Sequence, residues 1–161
     1  MKKYGTNGFT LIELMIAVII IGIIAGVAYP NYMKFVTESR RSDATTNLLR
    51  IAALQARFYN QCTPVKYAAN FGSPQSCDGT GTLNANLGAG NATPDGHYTI
   101  AIAALPAIQG GTGDIATSFI LTATPAGGQA TNDGARCATF TITNTGIKGA
   151  TGSEAAGCWK R

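Results

Sequence analysis

The sequence predicts an α+β fold: one long N-terminal helix, membrane-spanning in its first half and amphipathic in its second, packed on an antiparallel β-sheet. Three observations predict it. An unbroken apolar run starts at Phe9, an apolar stripe with three- and four-residue steps follows between residues 44 and 58, and short β-branched runs separated by glycine-rich turns fill the later part of the chain. A length of 161 residues fits one folded domain. Hydrophobic residues make up 45%, enough for a core, whereas only 12% are charged, about half the usual share. The 20 glycines concentrate in the C-terminal two thirds, which favours a loop-rich sheet there over more helix.

The first eight residues, MKKYGTNG, are polar, carry Lys2 and Lys3, and end in Gly8. From Phe9 to Tyr29 the chain is apolar except for Thr10 and Glu13. As a helix, that run spans roughly 31 Å, close to a bilayer core, and the flanking lysines would stay cytoplasmic. An ordinary secretory signal would be cut after the apolar run, beside small residues. Here the run continues into a helical pattern with no clear A-x-A site, so the segment is expected to stay attached. A plain membrane anchor leaves Glu13 unexplained. A carboxylate costs about 2.5–3.5 kcal/mol at the bilayer centre and less near the interface, so an acid in such a segment wants a partner.

Gly8-Phe9-Thr10-Leu11-Ile12-Glu13 followed by an apolar helix resembles the signature of type IV pilins. The resemblance implies the type IV pilin fold, cleavage between Gly8 and Phe9 by a membrane-embedded prepilin peptidase, N-methylation of Phe9, and an assembly role for Glu13. The chemistry fits the spacing. Cleavage creates a cationic amine on Phe9, and low dielectric strengthens its attraction to the Glu13 carboxylate, within one subunit or between neighbours. Gly22, Gly26 and Pro30 punctuate the same helix. Proline lacks a helical donor and is expected to kink it, and each glycine lowers helix propensity by about 1 kcal/mol relative to alanine. Two readings stand for these residues: close helix packing in the membrane, or a helix-breaking stretch that loses helicity inside a filament, as in related pilins.

After Pro30, Ala44, Leu48, Ile51, Leu54 (or Gln55) and Phe58 form the amphipathic stripe. Arg40, Arg41, Asp43, Asn47, Arg50 and Arg57 are expected on the other faces, with Arg40 and Arg41 solvated or touching other subunits. The stretch RRSDA…LLRIAALQARFYNQ resembles the PilE/ComP-like minor pilins, more loosely than the cleavage motif does. Cys62-Thr63-Pro64 ends the helix. The expected organisation is a leader over 1–8, a transmembrane and filament-core helix over 9–30, an amphipathic helix over 31–61, and a head of loop plus antiparallel sheet over 62–161.

Residues 62–96, rich in Asn, Gly, Ser, Thr and Pro, read as an extended surface loop. Three strands follow: His97–Ile102, Thr117–Ala123 and Cys137–Ile142. A turn at Asn144-Thr145-Gly146 and a fourth short strand around Ile147 complete an antiparallel meander, connected through Gly110-Gly111-Thr112-Gly113 and Gly127-Gly128. Cys62, Cys77, Cys137 and Cys158 do not have zinc-site spacing, and His97 is the one histidine. Downstream of an export signal, two disulfides are expected; buried free thiols are the alternative. Three pairings are possible. We expect Cys62–Cys77 and Cys137–Cys158, since each closes a local loop and the second resembles the disulfide-bounded, exposed region near the C-terminus of type IV pilins. In the chain-entropy model each bridge contributes about 3 kcal/mol.

The residues do not suggest an enzyme, a cofactor or a metal site. Ser118 and Ser153 have no convincing base, and Asp78, Asp95, Asp114 and Asp133 sit in turn-like contexts where Asp is favoured for backbone hydrogen bonding. The formal charge is +4, and removing Lys2 and Lys3 leaves ten basic against eight acidic side chains, a balance of +2. That is too small to imply nucleic-acid binding alone. Arg136, Lys148, Lys160 and Arg161 lie in or beside the C-terminal cysteine-bounded segment and are the candidate DNA contacts. The expected function is a structural subunit of a type IV pilus, of minor-pilin type, with roles in DNA uptake, adhesion or twitching motility. A major pilin and a type II secretion pseudopilin are the alternatives. Expected partners are other pilin subunits, prepilin peptidase, the inner-membrane assembly machinery and DNA. The expected location is the inner membrane with a periplasmic head, then the extracellular pilus.

Overall fold

A computed structural model describes residues 9–63, 65–72, 77 and 87–160. The leader with Gly8, and also Asp78 and Arg161, lie outside the described residues. The chain divides into two compact units, residues 1–36 and 37–161. Helix α1, Leu11–Gln61, contributes to both.

Among the described residues of the first unit, the helix has no intramolecular core. Its large apolar side chains from Leu11 to Val27 are all at least half exposed, and the helix is long and apolar enough to cross a membrane. Pro30 lies within the helix and does not end it. Gly22 and Gly26 are likewise helical, so none of the three expected helix-breaking residues breaks α1 in the single chain. Long helical stretches on both sides outweigh the hydrogen bond that proline removes. Nearby, Asn31 Nδ2 donates to the Val27 carbonyl at 3.2 Å. Loss of helicity on assembly concerns the filament rather than this chain.

The second unit begins at Thr37, and from there one face of α1 is buried: Thr37, Arg41, Ala44, Leu48, Ile51, Gln55 and Phe58 alternate at steps of four and three. Four strands form the sheet: β1 Tyr98–Ala104, β2 Phe119–Pro125, β3 Thr139–Thr143 and β4 Lys148–Thr151. Their order is β1-β2-β3-β4, all antiparallel, as expected for a meander. The register aligns Ile100 with Ala123, Ala123 with Phe140, and Phe140 with Ala150. Ile100, Ala123 and Phe140 are buried, Ala150 packs against them, and all join Leu48, Ile51 and Phe58 of α1 in one core. Alternation sends Thr99, Thr124, Thr122 and Thr141 to the other face of the sheet, where they are exposed or half-buried.

Departures from the expected elements have local causes. The fourth strand starts at Lys148 because Ile147 belongs to the turn, where Gly146 takes φ 82° and Thr143 N–H donates to the Ile147 carbonyl. Gly127-Gly128 opens a short helix, α2, Gly127–Asp133, rather than a bare connection. Its sequence GGQATND holds no large apolar residue, so no periodicity announces it. A 3-10 turn at Ala107–Gln109 and a short helix, α3, Ala155–Cys158, complete the elements.

The described parts of the 62–96 region are tied to the core. Gln55, and not Leu54, is the fully buried member of the helical stripe. Its side-chain amide donates to the Ala68 carbonyl and accepts from the Ala68 N–H, both at 2.9 Å. Tyr67 stacks edge-on against Phe119 with centroids 4.8 Å apart, and Ala92 bridges to Thr99. Cys62 is bonded to Cys77 and Cys137 to Cys158, with Cα–Cα distances of 5.4 and 5.9 Å.

Candidate assembly site and binding surfaces

The helix begins with a reciprocal cap. Thr10 N–H and Thr10 Oγ1 both donate to Glu13 Oε2, at 3.0 and 2.9 Å, and Glu13 N–H donates back to Thr10 Oγ1 at 3.3 Å. With Leu11 the first helical residue, Thr10-x-x-Glu13 is a capping box, in which the third helical residue satisfies the donors of the residue before the helix. The sequence carries this signal in the Thr10-x-x-Glu13 spacing. The cap gives the carboxylate a local partner in the single chain. It also holds that carboxylate against the N–H of Thr10, the residue next to Phe9, where a new amine would form after a cut at Gly8. Phe9 itself is 89% exposed.

A buried polar cluster in the second unit was not foreseen. Arg41 binds Asp133 through two parallel hydrogen bonds, Nε to Oδ2 at 2.7 Å and a terminal guanidinium nitrogen to Oδ1 at 2.6 Å. The same terminal nitrogen donates to Glu154 Oε2 at 3.1 Å. Gln129 Nε2 lies 3.0 Å from both the Thr37 carbonyl and the Tyr98 hydroxyl, and 3.2 Å from Asp133 Oδ2. The hydrogen bond to Asp133 raises the Arg41 pKa further above its ordinary value against the opposing effect of burial. Burial, opposed by the Gln129 hydrogen bond, pushes Tyr98 up to about 12. Arg41 therefore belongs to the buried stripe and not to a solvated face, and Asp133 is a buried ion-pair member and not a turn-former. Asn47, expected on a polar face, is buried as well, with Nδ2 donating to Asp43 Oδ1 at 2.9 Å.

The candidate DNA contacts separate into two environments. Arg136 is drawn into the acidic cluster, 3.2 Å from Asp133, 3.7 Å from Glu38 and 3.9 Å from Glu154. Lys148 and Lys160 are exposed. The Lys148 ammonium sits 5.1 Å from the centre of the Trp159 ring. That ring is fixed from both sides, since Nε1–H donates to the Gly149 carbonyl at 2.6 Å and Phe140 meets it edge-on at 6.2 Å. Lys160 follows Trp159 in the chain.

The polar residues screened for catalysis make local bonds. Ser118 Oγ accepts from Thr112 N–H at 3.1 Å, Ser153 Oγ donates to the Ala135 carbonyl at 3.2 Å, and Asp114 Oδ1 accepts from Ala116 N–H at 2.9 Å. His97 and Asp95 line a shallow groove with Arg40 and Asp43. Among the described residues no group of three or more His, Cys, Asp or Glu stands together as a metal site.

Comparison with known proteins assigns the chain. Residues 30–141 match the family described as type IV minor pilin ComP, DNA uptake sequence receptor. Residues 4–29 match the prokaryotic N-terminal methylation motif. The chain is similar to the type IV major pilin protein PilA of Myxococcus xanthus, 52% identical over 55 residues, which cover 34% of this chain and 25% of that one. It is also similar to the type IV major alpha-pilin of Moraxella bovis, 41% identical over 60 residues, covering 37% of this chain and 38% of that pilin. The type IV narrow pilus major component PilA5 of Thermus thermophilus is 33% identical over 95 residues, covering 55% of this chain and 82% of that protein. The match thus spans a quarter to two fifths of the first two relatives and most of the third. A family match over more than half its length, next to the methylation motif, shows that the chain belongs to the type IV pilins, in the family of the minor pilin ComP.

Proposed function

We propose that this chain is a minor subunit of a type IV pilus that contributes to DNA uptake. Prepilin peptidase cuts it between Gly8 and Phe9, and the new Phe9 amine is N-methylated. The subunit waits in the inner membrane through residues 9–30, with residues 62–161 as a periplasmic head, and the assembly machinery then polymerises it with other pilins. One observation carries this reading: the sole charged residue of the apolar span, Glu13, lies four residues after Phe9 and its carboxylate accepts from the N–H of Thr10, the residue next to Phe9, at 3.0 Å. The match to a family described as a DNA uptake sequence receptor supports the DNA role.

Lys148, over the Trp159 ring, and Lys160, next to Trp159 in the chain, are the better DNA contacts, because both are exposed and Arg136 is already paired with acids. Neutralising two phosphates gives a salt slope of about −1.8, so affinity for duplex DNA should fall about tenfold between 50 and 200 mM salt. Lys148→Ala with Lys160→Ala should flatten that slope to near zero, read by filter retention or fluorescence anisotropy. Retention that is absent at 50 mM salt in the parent chain, or unchanged in the double variant, contradicts the contact. A major-pilin role is the second reading, favoured by the major pilins among the relatives. A deletion strain that loses DNA uptake but keeps its pili supports the minor role, and one that loses its pili supports the major role.

A further inference from the structure

At the end of the apolar run and just past it lies an aromatic set that neither the assembly site nor the core of the head uses. Tyr29, Tyr32 and Phe35 on α1 are 67%, 63% and 70% exposed. Steps of three residues spread their rings over about a third of the helix circumference. They continue an apolar segment in which no residue from Leu14 to Met33 is charged.

Length and composition place this set at one depth. The helix from Leu11 to Tyr29 accounts for roughly 28 Å, close to the thickness of the hydrocarbon core. The next six residues, to Phe35, rise about 9 Å, comparable with the headgroup layer of roughly 5–7 Å on one side. Side chains change at the same point, from Ile, Leu and Val to Tyr, Tyr and Phe interspersed with Asn31 and Lys34. Aromatic rings with a polar handle favour headgroup depth, where one end is apolar and the other wet. The backbone changes there too. Pro30 offers no N–H to the Gly26 carbonyl, and the Asn31 side chain serves the Val27 carbonyl. A bare carbonyl is costly in hydrocarbon and cheap beside interfacial water.

We propose that Tyr29, Tyr32 and Phe35 form a lipid-interface anchor, seated in the phospholipid headgroup layer at the end of the span opposite the leader. The anchor fixes the depth of the unassembled subunit. It rests on the reading that residues 9–30 span the bilayer before assembly.

The test is depth-dependent quenching in the full chain, reconstituted into phosphatidylethanolamine–phosphatidylglycerol vesicles. Tyr32→Trp and Ile20→Trp are each read against the parent, whose Trp159 supplies a common background. Nitroxide-labelled lipids carry the quencher at the headgroup or deep in the acyl chain. The added emission of Tyr32→Trp should be quenched at least threefold more by the headgroup label, and that of Ile20→Trp more by the deep label. Deep quenching of both, or deep quenching of Ile20→Trp while Tyr32→Trp escapes both labels, overturns the anchor and leaves the span standing; in the latter case the rings face water or a neighbouring subunit. If neither label quenches Ile20→Trp, the span and the anchor fall together.

Discussion

Glu13→Gln should leave a chain that enters the membrane and starts its helix normally, yet reaches filaments at least tenfold less often than the parent. The substitution separates the cap that the carboxylate makes from its proposed pairing with a Phe9 amine. A glutamine oxygen accepts from Thr10 N–H and Oγ1 as the carboxylate does, so the capping box survives. The negative charge that complements a Phe9 amine is gone. Two unit charges 4 Å apart interact by about 4 kcal/mol at an effective dielectric of 20, which is more than two decades in an equilibrium constant. Glu13→Ala loses charge and cap together, at a further cost of about 1 kcal/mol for the helix start. Quantitative immunoblots of membrane and sheared-filament fractions separate the outcomes. Equal incorporation of Glu13→Gln and parent would show that Glu13 serves only as a cap.

Asp133→Ala should destabilise the head by about 3–5 kcal/mol, the cost of breaking a buried pair and stranding its partner. Asp133 has no exposed side-chain surface, and Arg41 retains only 11%. Removing the carboxylate leaves the Arg41 guanidinium with Glu154 alone, which is nearly half exposed. Gln129 loses an acceptor and Arg136 its nearest acid in the same step. Arg41→Ala should cost somewhat less, because Arg136 still reaches Asp133 at 3.2 Å. Replacing both partners with apolar residues, Arg41→Met with Asp133→Leu, should recover most of the loss, since no buried charge is left unmatched. Denaturant unfolding in detergent checks the series. A change below about 1 kcal/mol for Asp133→Ala would place the pair among weakly contributing surface contacts.

The long helix and the meander were legible because both rest on apolar periodicity. The step from the membrane run to the stripe at Ala44, Leu48, Ile51 and Phe58 is written in hydrophobic residues, and so are strands β1 to β3. What escaped was buried but polar. The stripe begins two turns earlier, at Thr37 and Arg41, at positions whose residue types predict exposure. Arg41 is buried because Asp133 meets it from 92 residues away, a pairing that no local pattern encodes. Gln55 took the place open to Leu54 because its amide matches the N–H and C=O of one backbone residue, Ala68. Helix α2 was missed for a related reason: its buried residues are Gln129 and Asp133. Of the assembly site, the methylation motif could be read directly. The capping box lay in the same letters, Thr10-x-x-Glu13, and needed only the spacing rule. The candidate DNA contacts were read from charge alone, and charge does not reveal that Arg136 is already occupied while Lys148 rests on Trp159.

The proposed function depends on one covalent event, a cut between Gly8 and Phe9 that would make the amine proposed to pair with Glu13. Intact-mass and N-terminal analysis of the chain recovered from sheared filaments tests it most directly. The predicted result is a subunit that starts at N-methylated Phe9 and retains both disulfides. A chain that still carries the Met1–Gly8 leader, is cut beyond the apolar run, or is missing from the filaments while abundant in the membrane would contradict it.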